Sequence, residues 1–384
     1  MYLALTRENG GQIGGFALPL ALTDEQTRRL RLAGQNLLCS LPDGNAAPAA
    51  VVRNTGGLQA QDIFAASLGV RVRSHNSTYA AVDRARYDDR SIVWTWAMRG
   101  TLHLLPAADL DWLLPLVGEV FVTAAARRRR ELGLDEDLYA QGLRVIRRRL
   151  AEHGPSTRAE LVAALASAGI EGGYRIERHL LYRAGLEGVI CLGPDRGAKP
   201  AFVLLDDWLG RPLDPVAPAA ALKELVARYL AAYAPATPAD LAAWSGLPAA
   251  MLREGWAAIA GGLTEVTVAG KPAWIPASRL AELDLPPAPA NTVQLLPAFD
   301  TYLLGHRSRA LILDPAHADR VNAGGGMIHP VLLLDGQIAG TWRSNRQGRR
   351  VKITLEPFSP LPPQTAAGIA AETADIERFV GDSG

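Results

Sequence analysis

The segment Gly56-Gly-Leu-Gln59-Ala-Gln61-Asp62 is where this chain concentrates side chains able to hold a water or face a developing charge. On a helix Gln59 and Gln61 diverge by about 200°; on extended or irregular backbone, residues two apart point the same way. Gly56 and Gly57 before the pair, and Asp62 as a helix N-cap after it, favour the extended choice. The residue between them, Ala60, is small. Two amides then face one spot beside the positive end of a helix dipole. On the residues alone the pair reads first as two turn-stabilising glutamines. Asp62 is a rival general base, although a residue that caps the following helix points elsewhere.

Other chemistries lack their residues. There is no phosphate loop with its Lys and no strand-linked Gly fingerprint. Gly324-Gly-Gly326 has no following Lys or helix signal and reads as a loop before a strand. The seven His show no metal-ligand spacing, so no metal is expected, and no Ser stands in a nucleophile elbow. Only four of the 40 basic residues are lysines (199, 223, 271 and 352), none in an evident apolar pocket, so a Schiff-base nucleophile is not expected. The remaining basic residues are arginines, which fits either codon bias or phosphate recognition. Two cysteines, Cys39 and Cys191, make neither a disulfide framework nor a four-thiolate site. No cofactor is expected.

These side chains need a scaffold. The 384 residues suggest two to four domains, and with 48% apolar residues sizeable cores are within reach. Lys+Arg 40 against Asp+Glu 39 excludes a polycationic tail or an acidic disordered chain. No signal peptide is read. The longest apolar run, Leu113 to Ala126, is interrupted by Glu119, so neither a membrane span nor a membrane partner is expected and the location is read as cytoplasmic.

Thr23 with Gln26 predicts a capped helix, followed by a short helix after Pro48 and a third after Asp62. Ser91 to Ala97 and Thr101 to Leu105 then read as a β-hairpin. Helices followed by a hairpin recur. Pro155-Ser-Thr157-Arg-Ala-Glu160-Leu161 and Pro235-Ala-Thr237-Pro-Ala-Asp240-Leu241 are two further capping boxes, with hairpins over 188–205 and 263–275. Pro286, Pro287 and Pro289 mark a linker, and beyond it strands around Asp335-Gly336 precede a helix near 365–379. The expected fold is α+β: an extension (1–21), three tandem winged-helix (helix-turn-helix) domains (22–106, 107–213, 214–288) and a small C-terminal β domain (289–384).

Beyond this pattern, the chain resembles the AlkZ-like DNA glycosylase family of the azinomycin-resistance type and its broader bacterial relatives. The residues that carry the resemblance are Leu58-Gln59-Ala60-Gln61-Asp62, Trp96-Ala-Met-Arg99-Gly-Thr101-Leu-His103, Leu296-Pro-Ala-Phe-Asp300 with Arg307, and Gly325-Gly-Met-Ile-His329-Pro with Asp335-Gly336 and Gly340-Thr-Trp342. They span about residues 22 to 355. The family's signature is Gln-x-Gln in one branch and Gln-x-Asp in the other. The Gln-x-Gln form here implies that Gln59 and Gln61 are catalytic.

The implied chemistry is hydrolysis of an N-glycosidic bond in DNA without cofactor. A guanine alkylated at N7 is a cation and leaves without protonation. Two amides suffice to place a water at C1′ and stabilise charge on the sugar, whereas neither can act as a base. The expectation is a monofunctional glycosylase acting on cationic N7-alkylguanine or N3-alkylpurine in double-stranded DNA. Bulky adducts, interstrand crosslinks and self-resistance lie within that reading. The alternative is a non-catalytic winged-helix regulator or damage sensor. A monomer is expected. Candidate DNA contacts are Arg99, Thr101 and His103 on the first hairpin, Arg307, Arg309 and His329, and the basic turn of Arg343, Arg346, Arg349 and Arg350 with Lys352. Arg127 to Arg130 and Arg144 with Arg147 to Arg149 are further basic runs.

Overall fold

The computed structural model describes residues 19–41, 47–170, 173–284, 289–347 and 350–381. Three successive helix-and-hairpin stretches lead into a C-terminal sheet. The first contains β1 (Leu20–Leu22), α1 (Asp24–Gly34), α2 (Ala47–Asn54), β2 (Leu58–Gln59), α3 (Ile63–Arg71), α4 (Tyr79–Tyr87), β3 (Ile92–Trp96) and β4 (Leu102–Pro106). Both bonds of the Thr23–Gln26 capping box form at α1. The Asp62 carboxylate accepts from the amides of Phe64 and Ala65 and starts α3. Helix α4 was not anticipated. It buries only Val82, Ala85 and Arg86, too few apolar side chains to set up a 3.6-residue period.

The second stretch contains α5 (Leu110–Ala124), α6 (Ala126–Glu131), α7 (Glu136–His153), β5 (Ser156–Thr157), α8 (Arg158–Ser167), α9 (Gly173–Leu186), β6 (Ile190–Leu192), β7 (Ala201–Leu204) and α10 (Leu205–Leu209). The third contains α11 (Pro218–Tyr233), α12 (Pro238–Ser245), α13 (Ala249–Ile259), β8 (Leu263–Val268) and β9 (Lys271–Pro276). Thr157–Glu160 and Thr237–Asp240 form the two expected capping boxes. The final stretch contains β10 (Val293–Leu296), α14 (Thr301–Leu304), α15 (Ala318–Val321), β11 (Asn322–Gly324), β12 (Met327–Ile328), β13 (Val331–Leu334), β14 (Gln337–Gln347), β15 (Arg350–Pro357) and α16 (Ala366–Gly381). Asp335 and Gly336, both at positive φ, make the two-residue turn from β13 to β14. Residues 285–288 of the Pro-rich linker expected over 283–290, and Arg349, lie outside the described residues.

Two arrangements differ from the beads-on-a-string expectation. The first two hairpins share one six-stranded sheet, in the order β2-β4-β3-β6-β7-β5, joined where Trp94 of β3 pairs with Leu192 of β6. Residues 22–106 and 107–213 therefore contribute strands to one common sheet. The end of the supposed extension is β1, which adds in parallel to β8 of the third stretch, Leu20 opposite Val266. An edge strand with unpaired N–H and C=O groups accepts such an addition.

The shared sheet packs apolar side chains on both faces. Leu58, Trp94, Leu104, Leu192 and Phe202 pack into one core with Val51, Ile146 and Leu180. Val93, Ala97, Leu105, Cys191 and Val203 pack into another with Tyr229, Tyr233 and Trp244 of the third stretch. The C-terminal sheet docks through the end of α3. Arg71 bonds Glu372 and Asp375 of α16, each at 3.0 Å. Arg73 forks onto both oxygens of Asp300, at 2.7 and 2.8 Å. Among the described residues no helix is long and apolar enough to cross a membrane.

Candidate active site

The site begins with a close backbone approach. Gly57 has φ +106°, and a Cβ there would lie 2.8 Å from Leu105 Cδ2. Glycine alone lets the chain turn out of α2 and lay β2 against β4. That pairing sets Leu58 opposite Leu104 and Gln59 opposite His103, which in turn faces Thr95 of β3. Gln59, His103 and Thr95 thus form one polar row across three strands, on the sheet face that looks toward α11 and α12. Ala60 turns into the opposite core, so Gln61 returns to the side of Gln59. Gln59 is buried and Gln61 is exposed.

The two amides meet. Gln59 Nε2 donates to Gln61 Oε1. Gln59 Oε1 accepts from Arg99 Nη2 at 2.6 Å. Arg99 Nη1 donates to the carbonyl of Trp244, the penultimate residue of α12. The structure therefore brings Arg99, Gln59 and Gln61 into one hydrogen-bonded chain that leads from the third stretch to the surface. Around it, Tyr233 Oη donates to the Thr55 carbonyl at 2.8 Å, and Trp244 lies against Gly56. Nothing in the residue pattern marked Trp244 as part of this site, because it contributes a backbone carbonyl that any residue carries.

Asp62 spends its Oδ1 on the first turn of α3 and is exposed. Burial lowers the Arg99 guanidinium below the usual arginine range, with Tyr233 opposing it. An arginine so placed is still a cation at neutral pH. His103 is buried and pushed down to about 3, chiefly by desolvation and then by the Arg99 charge, against a hydrogen bond to the Thr101 carbonyl. It is a neutral imidazole with Nδ1 2.9 Å from Thr101 O; a carbonyl only accepts, so Nδ1 carries the proton. Among the described residues no group of His, Cys, Asp and Glu could hold a metal ion. The arrangement offers polarised amides and a fixed cation.

Comparison with known proteins assigns the chain. The family model for DNA glycosylase AlkZ-like proteins matches residues 52–379. The chain belongs to the AlkZ-like DNA glycosylase family. The interstrand DNA cross-link repair glycosylase of Streptomyces sahachiroi is 29% identical over 351 residues, covering 87% of this chain and 91% of that protein. The solved structure of the Streptomyces sahachiroi DNA glycosylase AlkZ superposes with a TM-score of 0.76 at 27% identity, covering 94% of this chain and 98% of that one.

The other candidate contacts of this AlkZ-like chain fall in several places. Thr101 Oγ1 closes the β3–β4 turn by donating to Met98 O at 3.1 Å. Arg307 is exposed, its amide bonded to Asp240 at the start of α12. Arg309 is half-buried and donates inward to Leu303 O and Asn322 Oδ1. His329 is exposed. Arg343 is exposed on β14 and pairs with Glu356 at 3.2 Å, while Arg346 and Arg350 occupy the paired ends of β14 and β15. Arg127 and Arg128 pair with Glu131, and Arg129 turns inward to Val122 O. Arg144, Arg147 and Arg148 are exposed at helical spacing on α7.

His103 makes a pH prediction. Its folded pKa of about 3 lies below the ordinary value of 6.5, so the unfolded chain binds the extra proton. Stability from this group is complete above about pH 6.5 and declines as pH falls toward 3, by up to ~1.4 kcal/mol per pH unit. His306, also lowered, chiefly by burial and then by the Arg31 charge, adds to the slope. Urea midpoints at pH 7.5 and 5 are expected to fall less for His103→Asn than for the wild type. Equal falls would show that His103 carries no buried-imidazole cost.

Proposed function

We propose that this chain is a monofunctional DNA glycosylase that hydrolyses the N-glycosidic bond of cationic purines, N7-alkylguanine or N3-alkylpurine, in double-stranded DNA. The observation that carries the reading is the Arg99–Gln59–Gln61 chain, with the carboxylate next in sequence, Asp62, capping α3 through its Oδ1. An amide does not take a proton at neutral pH, so it cannot act as a general base. It can orient a water and present a carbonyl dipole to positive charge on the sugar.

That limited chemistry is enough for a cationic base. As the C1′–N9 bond breaks, its electron pair moves onto the ring and neutralises the alkylpurine cation. The water oxygen bonds C1′ and its proton passes to solvent, leaving an abasic site. A neutral base such as uracil leaves as an anion and needs more help than two amides supply. No lysine stands in the site, which favours an abasic product over strand cleavage.

The name of the Streptomyces sahachiroi relative, an interstrand cross-link repair glycosylase, supports extending the substrate to bulky adducts and crosslinks, in base excision repair or in self-resistance to a DNA-alkylating natural product. In the same proposal the three helix-and-hairpin stretches are winged-helix units (22–106, 107–213 and 214–288) that hold the duplex as a monomer in the cytoplasm, with residues 289–384 and their basic β14–β15 hairpin as a further DNA contact.

The test is single-turnover excision from a duplex carrying one N7-methylguanine, developed by alkaline cleavage of the abasic product. Wild type is expected to excise. Gln59→Ala and Gln61→Ala are each expected to lose about tenfold or more, a barrier increase of ~1.4 kcal/mol. Ready excision of uracil would overturn the chemical argument. Lesion-selective binding without excision, unaffected by loss of both amides, would assign the protein to damage sensing instead.

A further inference from the structure

The sequence offers Arg99 as a candidate DNA contact, yet the geometry gives it work inside the protein. Its guanidinium joins a side chain 40 positions earlier to a backbone carbonyl 145 positions later. Its own backbone is left-handed (φ 55°, ψ 15°), and so is that of Gly100 after it (φ 65°). A left-handed conformation disfavours every side chain with a Cβ, so glycine is the easy choice at both positions. The C-terminal turn of α12 comes close enough that a Cβ on Gly246 would lie 3.0 Å from Arg99 Cγ. A long side chain is thus kept on disfavoured backbone, in a tight space.

Donor and acceptor inventory defines that work. An amide group can rotate by half a turn with little change of shape, exchanging its oxygen and nitrogen. Arginine donates and never accepts. With Arg99 in place, the Gln59 oxygen must face the guanidinium, its nitrogen must face Gln61, and the Gln61 oxygen must accept. One donor-only residue thereby sets the polarity of two amides. Each amide oxygen retains a second lone pair that can accept from a water. A water held by acceptors keeps its own lone pairs free for attack at C1′. Without Arg99, rotated amides would present N–H groups to that water and occupy those lone pairs.

We infer that Arg99 is a positioning residue that fixes the orientation of the Gln59 and Gln61 amides for catalysis, rather than a contact for the DNA backbone. The inference rests on the glycosylase reading of the site.

The variant to make is Arg99→Gly, because its backbone suits glycine and the turn should survive. Compared with wild type on the N7-methylguanine duplex, the single-turnover rate at saturating protein is expected to fall about tenfold or more, while duplex affinity stays within about threefold. Millimolar ethylguanidinium is expected to restore part of the rate by refilling the vacated space. Arg99→Lys keeps the charge but cannot bridge Gln59 and Trp244 together, so an intermediate rate is expected; it serves if the glycine variant does not fold. A weakened affinity with an unchanged rate would make Arg99 a DNA contact and overturn the inference. An unchanged rate in Arg99→Gly, with Gln59→Ala and Gln61→Ala inactive, would overturn it and leave the glycosylase reading standing. If wild type excises nothing, the glycosylase reading fails, and nitrogen-15 NMR of the two side-chain amides still decides the positioning. Both pairs of resonances are expected to move toward free-glutamine values in Arg99→Gly. Unmoved resonances would show that Arg99 orients neither amide.

Discussion

Gln59→Glu is expected to cost about 100-fold or more in excision rate, ~2.7 kcal/mol of barrier, while Gln61→Glu keeps most of the activity. Both substitutions replace one NH2 by an oxygen and add one negative charge. They differ in where that oxygen falls. At position 59 the carboxylate still accepts from Arg99, and more strongly, because the pair becomes charge-assisted. Its second oxygen now faces the Gln61 oxygen, where a hydrogen bond formerly ran. Two acceptors repel, so Gln61 must turn its nitrogen inward and its carbonyl away. At position 61 the carboxylate accepts from Gln59 Nε2 as the amide did, leaving the upstream chain unchanged. It also adds a group able to act as a base, so excision of bases that leave less readily should rise. Single-turnover rates for both variants, with circular dichroism melts as the control for folding, decide the matter. Equal losses at the two positions would mean that amide polarity is irrelevant to the reaction.

Asp300→Ala is expected to destabilise the fold by about 3–5 kcal/mol. Asp300 and Arg73 are both fully buried, 227 positions apart. The carboxylate takes two guanidinium bonds and the Tyr302 amide; the guanidinium also reaches Gly69 O, Gln35 Oε1 and Thr301 Oγ1. Removing the acid leaves an arginine charge in the interior with only dipoles to meet it. The same physics says that the pair as a whole adds little net stability, because desolvating two charges offsets their attraction. Arg73→Met with Asp300→Leu is therefore expected to be more stable than Asp300→Ala alone. Thermal midpoints and soluble yield of the two proteins compare them directly. A double variant worse than the single one would show that the ion pair is irreplaceable for docking the C-terminal sheet onto α3.

Much of the chain is legible because its signals are short. Thr23 with Gln26, Thr157 with Glu160 and Thr237 with Asp240 close their capping boxes within three residues, and all three form. Asp62 caps α3 for the same reason. The hairpins follow from short β-branched, aromatic and apolar runs flanking a Gly-containing or Asp-Gly turn, as at Asp335-Gly336. Helix α4 and the amphipathic α9 escaped because their buried faces are small or interleaved with arginine and histidine, which blurs the period.

The site divides along the same line. That Gln59 and Gln61 share a side is a consequence of two-residue periodicity on extended backbone, and the glycines before them announce that backbone. Their linkage to Arg99, and the burial of His103 beneath the third stretch, could not be read there. Arg99 sits on a hairpin turn, where an arginine ordinarily faces water, until α12 closes over it and supplies the Trp244 carbonyl. His103 becomes buried and neutral only because the third stretch covers that face of the sheet. Hydrogen bonds across three or four residues depend on local torsions, which residue types bias directly. Bonds between groups 40, 145 or 227 positions apart depend on which hydrophobic faces find each other, and many sequences with the same local pattern would pack those faces differently.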